Sequence, residues 1–150
     1  MKNLFEASSV AEIKDRLQRL GADSPRQWGK MSVAQAVVHC ARGMQMATGE
    51  LRPPRAFVGR LIGRVIKPLA LGDDAPMRRN SPTAKELMVG DQPDFDAGRQ
   101  RLSSLIDRFA AAGPAGCTTH PHAFFGPLRP DEWAVLMYKH IDHHLRQFSA

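Results

Sequence analysis

The chain has 150 residues, 43% of them hydrophobic, with a formal net charge of +6 and a pI of about 9.9. That length supports one hydrophobic core without disulfide staples, so residues 1–150 are expected to form a single domain. The two cysteines, Cys40 and Cys117, lie outside any Cys-x-x-Cys motif, and no apolar run is long enough for a signal peptide or a membrane span, so a cytoplasmic protein without a membrane partner is expected.

The apolar spacing is helical from end to end. Ser9 followed by Glu12 reads as a capping-box start, with Val10, Ile13, Leu17 and Leu20 recurring at helical intervals until Gly21. A turn-rich link, Asp23 to Lys30, carries Trp28. Ser32 and Gln35 form a second capping-box start, and the helix they open runs through Val33, Ala36, Val37, Cys40 and Met44 towards Gly49.

Residues 50 to 92 are irregular, opened by Pro53-Pro54 and punctuated by Pro68 and Pro76. A short amphipathic helix over roughly 56–67 is predicted, with Phe57, Leu61, Ile62, Val65 and Ile66 inward and Arg60, Arg64 and Lys67 outward. Gly59 and Gly63 in it permit close packing. Arg52, Arg55, Arg60, Arg64 and Lys67, followed by Arg78 and Arg79, concentrate the positive charge. Few aromatics interleave with them and no DNA-binding motif spacing is present, so a solvated basic face is expected rather than a nucleic-acid partner. The stretch Arg79-Asn80-Ser81-Pro82-Thr83 reads as a structured loop.

A further long helix follows Pro93, with Phe95, Leu102, Leu105, Ile106 and Phe109 on one face, and stops at Gly113-Pro114. The loop from Cys117 to Pro130 contains His120 and His122, which flank Pro121 and suit a turn or surface role better than a ligand role. The last helix begins after Pro130, where Asp131 and Glu132 complement its positive end. Four main helices plus a short one predict an all-α four-helix bundle.

His140 and His144 stand four residues apart in that last helix, so their side chains project side by side. On a wheel of about 100° per residue, Trp133, Met137, His140, His144, Gln147 and Phe148 share the core side. Lys139, Asp142 and Arg146 fall opposite, and His143 sits at the edge of the stripe. Two imidazoles inside a core stripe need hydrogen-bond partners or a metal ion. His39, in the middle of the second helix, is the third candidate and completes a tripod if the two helices face each other. Three neutral imidazoles leave at least one coordination position open, as catalytic sites require. No Asp or Glu falls on the same faces to serve as a general base.

Two stretches of this chain resemble the DinB/YfiT-like superfamily of metalloenzyme-like proteins, most closely a subgroup classed as a domain of unknown function. One is Gln27-Trp28-Gly29-Lys30-Met31-Ser32-Val33-Ala34-Gln35 leading to His39. The other is Phe124-Phe125-Gly126-Pro127-Leu128, Trp133, and Tyr138-Lys139-His140-Ile141-Asp142-His143-His144-Leu145-Arg146-Gln147-Phe148. Asn80-Ser81-Pro82-Thr83 is similar to a loop motif of the same subgroup. Arg146 stands one position later than in the commoner superfamily motif, so no role is carried over to it.

The resemblance implies a DinB-like four-helix bundle with an additional short helix and long loops in the middle. It also implies a divalent metal ion, zinc or nickel, on His39, His140 and His144. A thiol-dependent transferase acting with a low-molecular-weight thiol or another small molecule is then the leading expectation, and a hydrolase is less favoured. The alternative is a non-catalytic helical module that binds a metal or ligand. Bundles of this size often form homodimers, but no interface is legible here.

Overall fold

Ser32 and Gln35 illustrate how local chemistry sets the helix boundaries. The Ser32 hydroxyl accepts the Gln35 N–H at 3.1 Å, and the Gln35 side chain accepts the Ser32 N–H at 2.9 Å. This capping box opens a helix that closes at Gly49, whose φ of 81° suits a residue without a Cβ. The computed structural model of the chain describes residues 1–81, 83–91 and 93–150, so Pro82 of the loop motif lies outside the described residues.

Five α-helices follow in order: α1 (Ala7–Arg19), α2 (Val33–Thr48), α3 (Phe57–Leu71), α4 (Phe95–Ala112) and α5 (Pro130–Gln147). Two 3-10 turns, Lys85–Leu87 and Gly113–Gly116, join them, and no strand occurs among the described residues. Helices α1, α2, α4 and α5 pack on one another, α2 against both α4 and α5. Their shared core includes Ile13, Leu17, Met44, Ile106, Trp133 and Met137, all at most 2% exposed. Each such side chain contributes roughly 1.5–3 kcal/mol by leaving water. Gly98 of α4 lets that helix approach α2, since a Cβ there would stand 2.9 Å from Val38.

Three local expectations are corrected. Helix α1 starts at Ala7 with Glu6 as its N-cap and no side-chain cap. Ser9 lies inside it, buried on the Ile13 and Leu17 stripe, and its hydroxyl donates to the Glu6 carboxylate at 3.2 Å. A hydroxyl facing the core is not free to cap.

Helix α3 is longer than the predicted 56–67; Arg60 and Arg64 are exposed as expected, but most of the apolar face is exposed as well. It continues through Pro68 to Leu71; Pro68 stands in the last turn, so its missing N–H removes a single hydrogen bond near the helix end. Phe57, Leu61, Ile62 and Val65, expected inward, are 74%, 67%, 42% and 71% exposed, and only Ile66 of that set is partly buried. Gly59 and Gly63 face the protein instead, because the Phe124 carbonyl lies where a Cβ on either would stand. The close packing expected at these glycines is a backbone-to-backbone approach, which turns the helix more than the wheel's large apolar residues do.

Helix α5 is buried on more than one side, and Lys139 and Asp142, placed outward by the wheel, are each 6% exposed. The Lys139 ammonium donates to the carbonyls of Ala70 at 2.7 Å and Asp73 at 3.0 Å, closing the C-terminal end of α3. Asp142 turns towards α1, pairing with Arg16 at 2.7 Å and with the exposed Arg146 at 2.8 Å. A single-face wheel fails for a helix whose neighbours α1, α2 and α3 occupy three directions.

Candidate metal centre

The pairing of α2 with α5 decides the site. His39 projects from the middle of α2, and His140 and His144 project from consecutive turns of α5. One nitrogen from each ring lies within 4.8 Å of the others, and the ring centroids are 4.7, 4.8 and 5.1 Å apart. Gly43, one turn beyond His39, makes room: a Cβ there would stand 2.8 Å from His140 Nδ1. His39 is buried, and His140 and His144 are partly buried.

The outer nitrogens of two of these rings are committed elsewhere. His39 Nδ1 is 2.9 Å from the Leu87 carbonyl, which can only accept, so Nδ1 carries the proton and Nε2 is bare. His144 Nδ1 is 2.8 Å from Gln147 Oε1, and the Gln147 amide is oriented because its NH2 donates to the Trp28 carbonyl at 2.7 Å. His144 Nδ1 therefore donates, and its Nε2 is bare as well. Backbone or amide acceptors that fix the tautomer in this way are the usual supports of metal-binding imidazoles.

His140 Nε2 faces His39 Nε2 at 2.8 Å. Two bare nitrogens at that distance repel, so the contact needs a shared proton or a cation. Ligand nitrogens about 2.0–2.1 Å from a tetrahedral ion stand about 3.4 Å from one another. That spacing falls within the spread of these three, so the residues fit a divalent ion.

Burial favours the neutral, metal-binding form of each ring. It lowers His39, it lowers His140 well below the usual histidine range with His39 and His144 adding repulsion, and it lowers His144 to about 3. Among the described residues the cluster contains no carboxylate.

The remaining histidines have other work. His143 is partly buried, edge-on to Trp28 and to His144, and burial lowers its pKa. His122 Nδ1 accepts the N–H groups of Phe124 and Phe125, both at 3.1 Å, and its ring packs on Trp133. His120 Nε2 meets the Pro53 carbonyl at 3.1 Å. Both serve the loop.

Sequence reasoning missed three supporting parts. The Leu87 carbonyl is a backbone group, invisible to residue-type patterns. Gly43, whose lack of a side chain leaves room for the His140 ring, offers nothing for a residue-type pattern to weigh. Arg79, counted among the surface cations, lies over the Trp28 ring at 4.1 Å and brings the loop before Ser81 to the site's border. Of the other cations, Lys67 pairs with Glu132 at 2.8 Å and Arg55 donates to the Gly59 carbonyl at 3.1 Å.

Fold and site together define an all-helical protein with three imidazoles converging between two helices. The chain belongs to the DUF1569 family: the family description reads "Protein of unknown function (DUF1569)", and the match covers residues 3–150. No curated protein and no solved structure matches the chain at a significant level. Among the described residues, no helix is long and apolar enough to cross a membrane.

Proposed function

We propose that the chain is one DinB/YfiT-like four-helix domain that holds a divalent ion, zinc or nickel, on His39, His140 and His144 and acts as a metal-dependent enzyme. The observation that carries this reading is the convergence of the three rings with His39 and His144 both held as the Nδ1–H tautomer. When bound, such an ion supplies Lewis acidity and lowers the pKa of a water or thiol beside it.

The chain's own residues do the positioning. Leu87 and Gln147 orient two of the rings, and Trp28 and His143 wall the His144 side. A peptidase-like hydrolase places a glutamate beside its histidines as general base. Here Asp142, the acid nearest in sequence, is turned to Arg16 and Arg146. A thiol brings its own nucleophile and needs less help from a base, so a thiol-dependent transferase using a low-molecular-weight thiol is the favoured activity.

One observation favours a second reading, a non-catalytic metal-binding module: His39 is only 3% exposed, and an enclosed ion is hard for a substrate to reach. Elemental analysis of protein purified without a histidine tag tests the shared part of both readings. One divalent ion per chain is expected, lost in His140→Ala with the helical circular dichroism unchanged; no stoichiometric metal at neutral pH overturns both. A thiol-transfer screen on the metal-loaded protein then separates them, because inactivity with every thiol leaves the module.

A further inference from the structure

The metal centre leaves the apolar face of α3 unused. Val58, Leu61, Ile62, Val65 and Leu69 lie along one side of the helix, 42–76% exposed, with Phe57 at its start. They recur at intervals of three and four, the pattern of a helix seam that receives another helix. The opposite side, at Gly59 and Gly63, already rests on the Phe124 segment, so the outward face is not turned away from some neighbour in this chain.

We propose that this face is where a second copy of the chain docks, the two α3 helices running antiparallel across a two-fold axis. The face is largely self-complementary about its midpoint: reversing the helix there sets Val58 against Leu69 and Ile62 against Val65, apolar on apolar. Charge agrees with this direction. No acidic residue occurs between 51 and 72, whereas Asp73 and Asp74 follow α3 at once. Antiparallel pairing brings the Arg52 end of one copy to the Asp74 end of the other, beyond the Arg55 and Asp73 side chains that already meet the Gly59 carbonyl and Lys139, and it also opposes the two helix dipoles. Arg52 and Asp74 are both exposed. An anionic bilayer would meet the same apolar residues with Arg60 and Arg64, but it would repel that terminal acidic pair. Two such faces in contact bury on the order of 1,000 Å², the size at which a specific interface holds.

Sedimentation equilibrium at about 10 µM reads the outcome directly. The wild type is expected at twice the 16.6 kDa chain mass. Leu61→Glu with Val65→Glu is expected to be monomeric with unchanged circular dichroism, since both positions are exposed. Arg52→Glu should weaken the dimer at least about tenfold, and adding Asp74→Arg should restore it. A monomeric wild type overturns the proposal, as does a dimer indifferent to the Leu61 and Val65 changes. Sensitivity to those changes without any response to the Arg52 and Asp74 pair overturns the antiparallel arrangement. A monomer that co-sediments with phosphatidylserine vesicles, and loses that with Leu61→Glu, assigns the face to lipid instead.

Discussion

The Gln147 side chain holds His144 in the tautomer that leaves Nε2 free: its amide oxygen accepts the Nδ1–H at 2.8 Å while its NH2 donates to the Trp28 carbonyl at 2.7 Å. One amide thus connects the ring to the link before α2. Gln147→Leu removes the acceptor and keeps comparable bulk. Metal affinity is expected to fall about 10- to 100-fold, read by competition with a chromophoric chelator. Retention of wild-type affinity would show that Gln147 only packs.

Gly43 is the contact point of α2 with His140. In Gly43→Ala the new methyl meets Nδ1 at 2.8 Å and Cε1 at 2.9 Å, so the ring or the helix must shift. A loss of about 1–3 kcal/mol is expected in urea unfolding, together with weaker metal binding. Gly90→Ala, where a Cβ meets nothing within 4 Å, serves as the neutral control.

The depressed histidines make stability fall with acid. Unfolded histidine takes up a proton near pH 6.5, whereas folded His144 does so only at about 3 and folded His122 at about 4. Between those values the unfolded chain binds more protons, so stability rises with pH. Their contribution is complete above about pH 6.5 and is lost progressively towards the folded values, with a slope of up to about 1.4 kcal/mol per pH unit for each histidine. Urea unfolding of the chelator-treated protein at pH 7, 6 and 5 reads this; a flat profile would contradict the burial of these rings. Bound metal steepens the loss, because protons then compete with the ion.

Asp142 separates stability from chemistry. Its carboxylate and the Arg16 guanidinium are 8% and 11% exposed and 2.7 Å apart. Asp142→Ala leaves Arg16 without its closest partner in a mostly buried position, and a loss of about 3–5 kcal/mol is expected. At a temperature where the variant is folded, its metal stoichiometry should match that of the wild type. Loss of metal alone would place Asp142 in the site.

Much of the architecture was legible in the residue pattern because it follows local rules. The Ser32 and Gln35 box, the stop at Gly49 and the opening of α4 after Pro93 depend on backbone groups within a few residues. The i, i+4 placement of His140 and His144 is likewise a property of any helix. Ser9 misled because a capping motif and a core-facing hydroxyl share the same letters. Lys139 misled because its ammonium finds carbonyls 66 and 69 residues away in sequence.

Periodicity and capping over a few residues are enough to set the helices, their order and the two imidazoles side by side on α5. The approach of His39 on α2, the tautomers set by Leu87 and Gln147, and the turn of α3 that puts its glycines inward and its large apolar residues out are outcomes of helix packing. Those outcomes depend on which surfaces approach within a few ångströms. For α3 that is decided by the absence of side chains at Gly59 and Gly63, which a count of hydrophobic residues does not weigh.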